Sequence, residues 1–443
     1  MKTIDSSKPE LLDPTPTVPL VAWVLCGFLF LATALNFLDR QVLSVLAPTL
    51  TSDLGMSNTD YSRVVSAFVF AYTIMFAAGG WLVDRLGTVR GLAIAVAVWS
   101  LASAGHALAA GALGLGVARF VLGLGEGACF PGATKGACEW FPPQQRGLAI
   151  GLAIGGSAFG SVVAPPLTAW TAALFGWRGA FVATGVLGLA WLVGWLGVGY
   201  FAPMPVHDGG STATGTRATW RDVFRDPAVW PLLMARFCFD PVFYFYMFWI
   251  PQYLARERGF SLDQIGKYYW IPFLALGVSN IVSGNLGDLL IQGGWSARRT
   301  RRTLLAVAAL VTPVSCAVIV APHAGWAIAL MALLMAAHGL WICNYIALIS
   351  DLFPARVMAT VVGLTGTVGG TAGIIANMVT GPVVDSQGFT PIFVGMSFLY
   401  PLAFLVLLAI PRAIEMPPPS AEATDIPPIR RPPLHGPDEI HRS

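Results

Sequence analysis

The stretch GWLVDRLGTVRG, residues 80–91, is echoed by GNLGDLLIQGGWSARRTRR, residues 284–302, and this pair organises the whole sequence. In both copies a glycine stands four residues before an aspartate at the end of an apolar stretch, and arginines follow. A small residue lets two helices approach closely, and the charges can then form a latch that breaks when two halves of the protein move; ordinary basic loop charge is the alternative. The predicted latch residues are Gly80, Asp84, Arg85, Arg90, Gly284 and Asp288.

The composition is that of a membrane protein. Of the 443 residues 56% are hydrophobic and 11% are charged, and the mean hydropathy is +0.68, whereas a soluble protein carries roughly 25% charged residues. Twelve apolar stretches are long enough to cross the ~30 Å hydrocarbon core as helices. We therefore predict an all-α polytopic membrane protein with helices at about residues 19–49, 61–83, 91–110, 114–137, 147–171, 178–202, 228–250, 266–287, 303–321, 325–350, 358–384 and 390–411.

The repeat divides the chain into two matched halves, as in many transporters. The segment PVHDGGSTATGTRATWRDVFRD, residues 205–226, is rich in Gly, Ser, Thr and charge, which favours a linker. We predict a cytoplasmic tail at 1–18, a six-helix bundle at 19–203, a cytoplasmic linker at 204–227, a second six-helix bundle at 228–411 and a disordered cytoplasmic tail at 412–443.

The distribution of Lys and Arg orients the chain. If the N-terminus is cytoplasmic, 17 of these residues fall in cytoplasmic segments and 5 in the opposite ones, which agrees with the excess of positive charge that cytoplasmic loops carry. Both termini are therefore predicted inside. The five on the opposite side are Arg63, Arg178, Arg256, Arg258 and Lys267.

Several other classes of protein do not fit. The formal charge of +3 is explained by topology and needs no nucleic acid as partner. The six cysteines all fall within predicted helices without a Cys-x-x-Cys spacing, so we expect packing residues rather than disulfides or a metal site. No Ser/His/Asp set or His/Glu metal spacing occurs at membrane depth, so we expect neither an enzyme nor a cofactor. A membrane sensor that no longer transports is the alternative function from a different functional class.

Charged residues within the apolar stretches are the candidates for function. In ARFVLGLGEGACFPG, residues 118–132, Arg119 and Glu126 lie two helical turns apart on one face. Burying either against lipid costs at least ~2.5 kcal/mol, so they should face the interior and pair. Glu126 lies near the midplane, where low polarity favours its neutral form, and is predicted to carry a proton. Arg119 is predicted to assist coupling, with snorkelling to the interface as the alternative.

Asp39 and Arg40 are adjacent and point in different directions on the first predicted helix. The rigid fork of an arginine binds two carboxylate oxygens at once, so Arg40 is the predicted substrate ligand; a static pair with Asp39 or Glu126 is the alternative. The four charges sum to zero, and protonating Glu126 leaves +1, which a bound carboxylate neutralises. One proton per anion follows, or two if Asp39 also titrates.

The second half offers weaker candidates. Arg236 and Asp240 are spaced i, i+4, which suits either a self-contained pair or a gating role. Tyr244 and Tyr246 are predicted to touch substrate, with membrane anchoring as the alternative. Asn344 is predicted to bind a substrate hydroxyl or, equally, to form an interhelical hydrogen bond. His338 is expected to be packed.

These motifs resemble a known family. The pattern G-x-L-x-D-R-x-G-x-x-R at 80–90 is similar to the loop signature of the major facilitator superfamily. NFLDRQVLSVLAP (36–48), RFVLGLGEG (119–127) and EWFPPQQRGLAIG (139–151) resemble its anion:cation symporter family, and within it bacterial hexuronate and sugar-acid transporters. The resemblance implies twelve helices in two bundles and an importer in the bacterial inner membrane that takes up a hexuronate or related sugar acid by proton symport with alternating access. Its partners would be an organic anion, protons and the lipid bilayer, and it would work as a monomer.

The same resemblance assigns coupling and anion binding to Asp39, Arg40, Arg119 and Glu126, and a place in the binding cavity to Tyr72. The chain departs from the family pattern where relatives carry polar groups. The departures are Phe37 for a tyrosine, Ile154 and Gly155 for Asn-Ser, and Gly277 for an aspartate. They make the cavity more apolar, so an aromatic or less hydroxylated carboxylate is the alternative cargo. An efflux antiporter is disfavoured because the fifth helix lacks Gly-Pro-x-x-Gly-Gly.

Overall fold

The computed structural model describes residues 18–201, 220–353 and 355–410. The tails and most of the predicted linker lie outside these residues. The described chain folds into sixteen α-helices: α1 Leu20–Asp53, α2 Asn58–Leu86, α3 Thr88–Gly105, α4 Ala112–Glu126, α5 Cys129–Trp140, α6 Pro143–Gly199, α7 Trp220–Arg225, α8 Val229–Phe248, α9 Ile250–Arg258, α10 Leu262–Tyr268, α11 Trp270–Gln292, α12 Ala297–Val311, α13 Ser315–Val320, α14 Ala324–Leu352, α15 Ala355–Gln387 and α16 Thr390–Leu408.

The helices account for the twelve predicted membrane spans. Nine helical segments of the described chain are long and apolar enough to cross a membrane, and bent α2 is a tenth. Helix α6 is two spans, because Gly176 breaks it with φ 70°, a backbone angle that favours glycine. Helices α8 and α9 together form the one predicted span that remains, the seventh along the chain. The prediction of an all-α membrane fold is confirmed.

Four of the predicted spans are broken where the sequence analysis expected continuous helices. The breaks separate α4 from α5, α8 from α9, α10 from α11, and α12 from α13. A proline lies two or three residues into the helix after three of these breaks, at Pro131, Pro251 and Pro272, and Pro313 lies within the fourth. Proline has no N–H to donate to the carbonyl four residues earlier and its ring crowds that carbonyl. The breaks therefore free backbone groups inside the bundle.

Close packing of α1 on α6 holds the first half together. Gly156 and Gly160 lie directly on α1, and a Cβ added at either would overlap a backbone carbonyl oxygen, that of Phe30 or that of Ala34. Thr33 Oγ1 also donates to the Ala153 carbonyl at 2.6 Å across this contact. The glycine at 155 faces open space.

We expect Gly156→Ala to destabilise the fold while Gly155→Ala does not. Overpacking against a fixed backbone costs about 1–3 kcal/mol, whereas alanine at an unobstructed helical position gains up to about 1 kcal/mol in helix propensity. The measurement is the melting temperature of each variant purified in detergent, taken from the size-exclusion peak that remains after heating. Equal melting temperatures for this adjacent pair would contradict the observed packing.

The two halves are joined at the end that the charge count assigns to the outside. The Asp385 carboxylate of α15 caps the start of α2: it accepts bonds from the backbone N–H groups of Asn58 and Thr59 at 3.0 and 2.8 Å, and from their side chains at 2.7 and 2.6 Å. An anion at a helix N-terminus satisfies otherwise unpaired donors. The contact therefore holds the outer ends together.

The break before α9 supplies a second set of contacts at this outer end. Pro251 leaves the Met247 carbonyl without a helical donor, and Ser44 Oγ of the other half donates to it at 2.7 Å. Tyr61 of α2 donates to the neighbouring Phe248 carbonyl at 2.8 Å. In this structure the path between the halves is thus closed at the outer end.

We expect Asp385→Ala to loosen the outer contact. The carboxylate is exposed, so water offsets part of its contribution. A remaining capping contribution of about 1 kcal/mol lowers the ratio of closed to open molecules roughly fivefold when it is removed. The readout is the rate at which an impermeant maleimide labels Ser62→Cys, and this rate should rise. Ser62 is buried beside Gly381 of α15. Asp53→Asn, at an exposed acid at the same end of the protein on α1, is the matched control. An unchanged labelling rate in Asp385→Ala would count against the outer contact.

The predicted latch residues lie at the opposite, inner end, and their partners differ from the expectation. The Asp84 carboxylate pairs with Lys135 of α5 at 2.9 Å rather than with its own loop arginines. Lys135 reaches it because small residues allow α2 to approach α5, with Gly79 directly against Ala128. Arg85 lies over the Trp81 ring. The other predicted members are exposed or partly exposed: Gly80, Arg90, Gly284 and Asp288.

Candidate functional site

A buried ion pair joins α1 to the end of α4. Arg40 Nε lies 3.0 Å from Glu126 Oε2, and the two side chains are 6% and 0% exposed. Arg40 Nη2 donates to Asn36 Oδ1 at 2.9 Å. Asn36 in turn donates from Nδ2 to the Glu126 backbone carbonyl at 3.2 Å. One turn of α1 therefore holds both the side chain and the backbone of Glu126.

The glycines beside Glu126 allow α4 to lie deep in the bundle. A Cβ at Gly125 would fall 2.7 Å from the Trp99 Cβ, and one at Gly127 would fall 2.7 Å from the Met75 Cβ. Glu126 is the last residue of α4, so the break before α5 lies at the carboxylate itself. Glu126 Oε1 has no hydrogen-bond partner among the described residues. One oxygen is thus held by Arg40 while the other is unpaired.

Aromatic rings surround the Arg40 guanidinium. Its central carbon lies 4.2 Å from the Tyr72 ring centroid, 4.8 Å from that of Phe37 and 5.3 Å from that of Phe68. Rings at these distances attract a cation and exclude water around it. Tyr72, predicted only through the family resemblance, therefore lies against Arg40. Phe37 gives this site a ring without a hydroxyl.

The neighbouring residue Asp39 points the other way, into the first bundle. Its Oδ1 accepts from Ser103 Oγ at 2.7 Å, and Ser103 also contacts Thr184 Oγ1 at 2.8 Å. Arg119 Nη2 donates to the Asp39 backbone carbonyl at 3.3 Å. Arg119 is 1% exposed, which excludes the alternative that it snorkels to the interface.

Three polar atoms of this neighbouring cluster have no hydrogen-bond partner among the described residues: Asp39 Oδ2, Arg119 Nε and Arg119 Nη1. Buried polar groups are ordinarily satisfied by protein or water. Two cations and two anions therefore lie in one buried region and sum to zero charge. The arrangement can take up a proton and an anion together without leaving a net buried charge.

Of the second-half candidates, the structure brings Tyr244 to this region. Its ring stacks on that of Phe248 with 6.1 Å between the centroids, and Phe248 contacts Phe68, one of the rings around Arg40, at 6.3 Å. Tyr246 is buried and its hydroxyl contacts Ser315 at 3.0 Å within the second half. Asn344 is also buried and donates to Ser283 Oγ at 2.9 Å, the interhelical bond given as its alternative.

Three further second-half residues are accounted for. His338 is packed against Phe243 and hydrogen-bonded to Tyr400, as expected. Arg236 and Asp240 form an ion pair at 2.7 Å.

The sequence analysis missed residues that hold the site. Asn36 precedes Arg40 by four residues, so its place on the same helix face was a usable signal. Ser103 and Thr184 carried none, because isolated hydroxyl residues are common in membrane helices. Lys135 and Asp385 were hidden because their partners lie on distant helices.

Comparison with known proteins places this arrangement in a family. The profile of the Major Facilitator Superfamily matches residues 29–377. The hexuronate transporter of Bacillus subtilis strain 168 is 30% identical over 408 residues, which cover 89% of this chain and 96% of that protein. The hexuronate transporter of Escherichia coli K12 is 29% identical over 406 residues, 88% and 93% of the two chains.

Solved structures agree on the fold. A bacterial homologue of the human lysosomal transporter Spinster, solved inward-facing and unoccupied, superimposes with a TM-score of 0.72 at 19% identity, over 88% of this chain and 95% of that one. A D-xylose–proton symporter gives 0.71 at 16% identity, over 89% and 99%. The predicted resemblance is confirmed: the chain belongs to the Major Facilitator Superfamily and is a multi-span membrane transporter related to bacterial sugar-acid transporters.

Proposed function

We propose that this transporter is a proton symporter that imports an organic acid anion, and that Glu126 carries the proton while Arg40 binds the anion. The observation that supports it is the buried Arg40–Glu126 pair at 3.0 Å. The carboxylate of Glu126 occupies the arginine that a substrate carboxylate would need. Protonation of Glu126 removes its charge and releases that arginine, so the proton and the anion bind together.

The need to keep the buried region neutral couples proton binding to anion binding. With Asp39, Arg40, Arg119 and Glu126 ionised the region is neutral, and an empty carrier can close around it. With Glu126 protonated the region carries +1 until a carboxylate restores zero. The half-loaded forms bury a net charge, which is costly in an apolar interior. One proton therefore accompanies each anion, and alternating access proceeds only in the empty and fully loaded states.

The cargo is a hexuronate or related sugar acid, the class named for the two hexuronate transporters above. The symporter lies in the bacterial cytoplasmic membrane as a monomer with both termini inside, an orientation that the Lys and Arg distribution supports. Tyr244 contributes polar contact from the second half. The inner-end residues Asp84 and Lys135 act as one side of the gate that opens to the cytoplasm.

A less hydroxylated or aromatic carboxylate is the second candidate. It is favoured by the three rings at Arg40, which include Phe37 in place of a tyrosine. Gly277 lies against Ala158 across the two halves, where a hydroxylated cargo would gain from a polar side chain. Competition by aromatic acids separates this candidate from the first.

The test is uptake of radiolabelled galacturonate into proteoliposomes under an imposed inward proton gradient. Concentrative uptake that a protonophore abolishes is the expected result, with unlabelled sugar acids and aromatic acids as competitors. Uptake that ignores the gradient would refute proton symport. Competition by aromatic acids alone would move the cargo to the second candidate.

A further inference from the structure

A groove lies at the inner end of the second half, between α12, α14 and α16. Arg298, Arg302 and Leu305 line it from α12. Leu348 and Asp351 line it from α14, and the last turns of α16 form the third wall. The space between these walls, counted with the part that is open to the outside, is about 540 Å³. The groove is therefore a feature separate from the buried site in the first half.

The groove is polar at the inner end of the protein and apolar deeper in the membrane. Helix α12 begins at the inner end, so Leu305 lies roughly 4.5 Å deeper along the helix than Arg302. Helices α14 and α16 run in the opposite direction, so Asp351 lies at the inner end and Phe404, in the α16 wall, lies one turn deeper than the end of its helix. A phospholipid of the cytoplasmic leaflet has the same order, with a charged head group at the surface and acyl chains below it.

The polar end of the groove carries an excess of positive charge. Helix α12 begins ARRTRR, residues 297–302, and so places four arginines in its first six residues. These arginines lie at the end of the helix where the backbone dipole is itself positive. Asp351 pairs with Arg301, with Nε 3.1 Å from Oδ2. The four arginines and this one carboxylate together attract an anion.

The apolar end of the groove faces the bilayer. Leu408 of α16 lines the groove and is 43% exposed, and Leu405 on the same helix is 62% exposed. Helix α12 exposes Leu310 to 80%. Large apolar side chains exposed on membrane-spanning helices contact acyl chains. The groove therefore opens sideways to lipid, and a lipid can enter it without crossing the aqueous phase.

We propose that this groove binds an anionic phospholipid of the cytoplasmic leaflet, with its phosphate at Arg298 and Arg302 and an acyl chain along Leu305 and Phe404. The two arginines are one turn apart on one face of α12, and the guanidinium fork suits phosphate oxygens. Basic pockets between membrane helices on the cytoplasmic side bind anionic head groups. The proposal does not depend on the cargo of the transporter.

The charge of the groove also makes it selective among lipids. A zwitterionic lipid such as phosphatidylcholine carries the same phosphate together with an ammonium group, which the arginines repel. An anionic lipid such as phosphatidylglycerol carries the phosphate alone. Arg299, in the same turn of α12, lies over the Trp295 ring at 4.1 Å from its centroid and does not line the groove. It therefore offers a matched control for the two groove arginines.

The test titrates the purified full-length protein in detergent with dioleoyl phosphatidylglycerol or dioleoyl phosphatidylcholine and follows the first bound lipid by native mass spectrometry. We expect wild type to bind phosphatidylglycerol about tenfold or more tightly than phosphatidylcholine. The double variant Arg298→Gln, Arg302→Gln should bind phosphatidylglycerol about 25-fold more weakly, since each arginine near an anionic lipid contributes roughly fivefold. Arg299→Gln should change this binding less than about threefold.

Two further measurements keep the test decisive if the glutamine variant does not fold. The double variant Arg298→Lys, Arg302→Lys keeps both charges and should keep the preference for phosphatidylglycerol. Salt at about 1 M screens charges more than ~3 Å apart, so it should abolish that preference in the wild-type protein. A preference that survives high salt would contradict an electrostatic head-group site.

Three results would overturn the proposal. The first is equal binding of the two lipids by wild type, or unchanged phosphatidylglycerol binding by the glutamine variant. The second is displacement of the lipid by glycerol phosphate, which has no acyl chain and would assign the groove to a soluble anion. The third is a wild-type dimer that the glutamine substitutions convert to a monomer with lipid binding unchanged, seen by light scattering, which would assign the groove to a second copy of the chain.

Discussion

Glu126→Gln should exchange substrate across the membrane but no longer accumulate it. Glutamine has the shape of the protonated carboxyl, so Arg40 stays free for the anion, yet no proton is bound or released. For one coupled proton, each pH unit of gradient is worth 1.36 kcal/mol, or about tenfold accumulation. We expect the wild-type protein to approach that ratio in proteoliposomes. The variant should show little net uptake, because its empty form keeps a buried charge of +1 and does not close, while exchange of labelled for unlabelled substrate continues.

Two controls separate loss of coupling from loss of fold. Glu126→Asp keeps a titratable group one methylene shorter and should retain accumulation at a reduced rate. Asp53→Asn removes an exposed carboxylate of the same half, at the outer end of α1, and should leave accumulation unchanged. Exchange in Glu126→Gln should also lose its dependence on pH. Gradient-driven accumulation by that variant would remove Glu126 from the coupling mechanism.

Arg40→Gln should lose substrate binding almost entirely. Removing one partner of a buried, hydrogen-bonded charge pair costs about 2–5 kcal/mol, which corresponds to roughly 30-fold or more in the dissociation constant. Arg40→Lys keeps the charge but not the planar fork, and we expect an intermediate loss of about tenfold. Equilibrium binding of labelled galacturonate to the purified variants measures both.

The double variant Arg40→Gln, Glu126→Gln tests whether Arg40 is only the static partner of Glu126. It removes both charges, so no unpaired charge is left buried and the fold should recover its thermal stability. If Arg40 binds the substrate, binding stays lost in the double variant. Restored binding would show that the arginine serves only to neutralise Glu126.

Much of this architecture follows from local sequence. The twelve apolar stretches, the repeat at Asp84 and Asp288, and the charges at membrane depth are all visible without a structure, because the bilayer admits only long apolar helices and penalises every exposed charge. The breaks near Trp249 and Tyr269 were missed although Pro251 and Pro272 mark them. Proline in a membrane helix is compatible with a kink or a break, and neighbouring helices decide which.

The pairing of the charges was decided by the tertiary structure. Sequence spacing places Arg119 and Glu126 on one face of α4, but two turns keep them roughly 10 Å apart along the axis. Helix α1 instead passes the end of α4, where Asn36 holds the Glu126 backbone and Arg40 Nε lies 3.0 Å from Glu126 Oε2. The sequence by itself determined which charges are buried, since burial depends on the hydrophobicity of the surrounding stretch. Which of them meet depends on how helices distant in the chain pack, and that is a property of the folded protein alone.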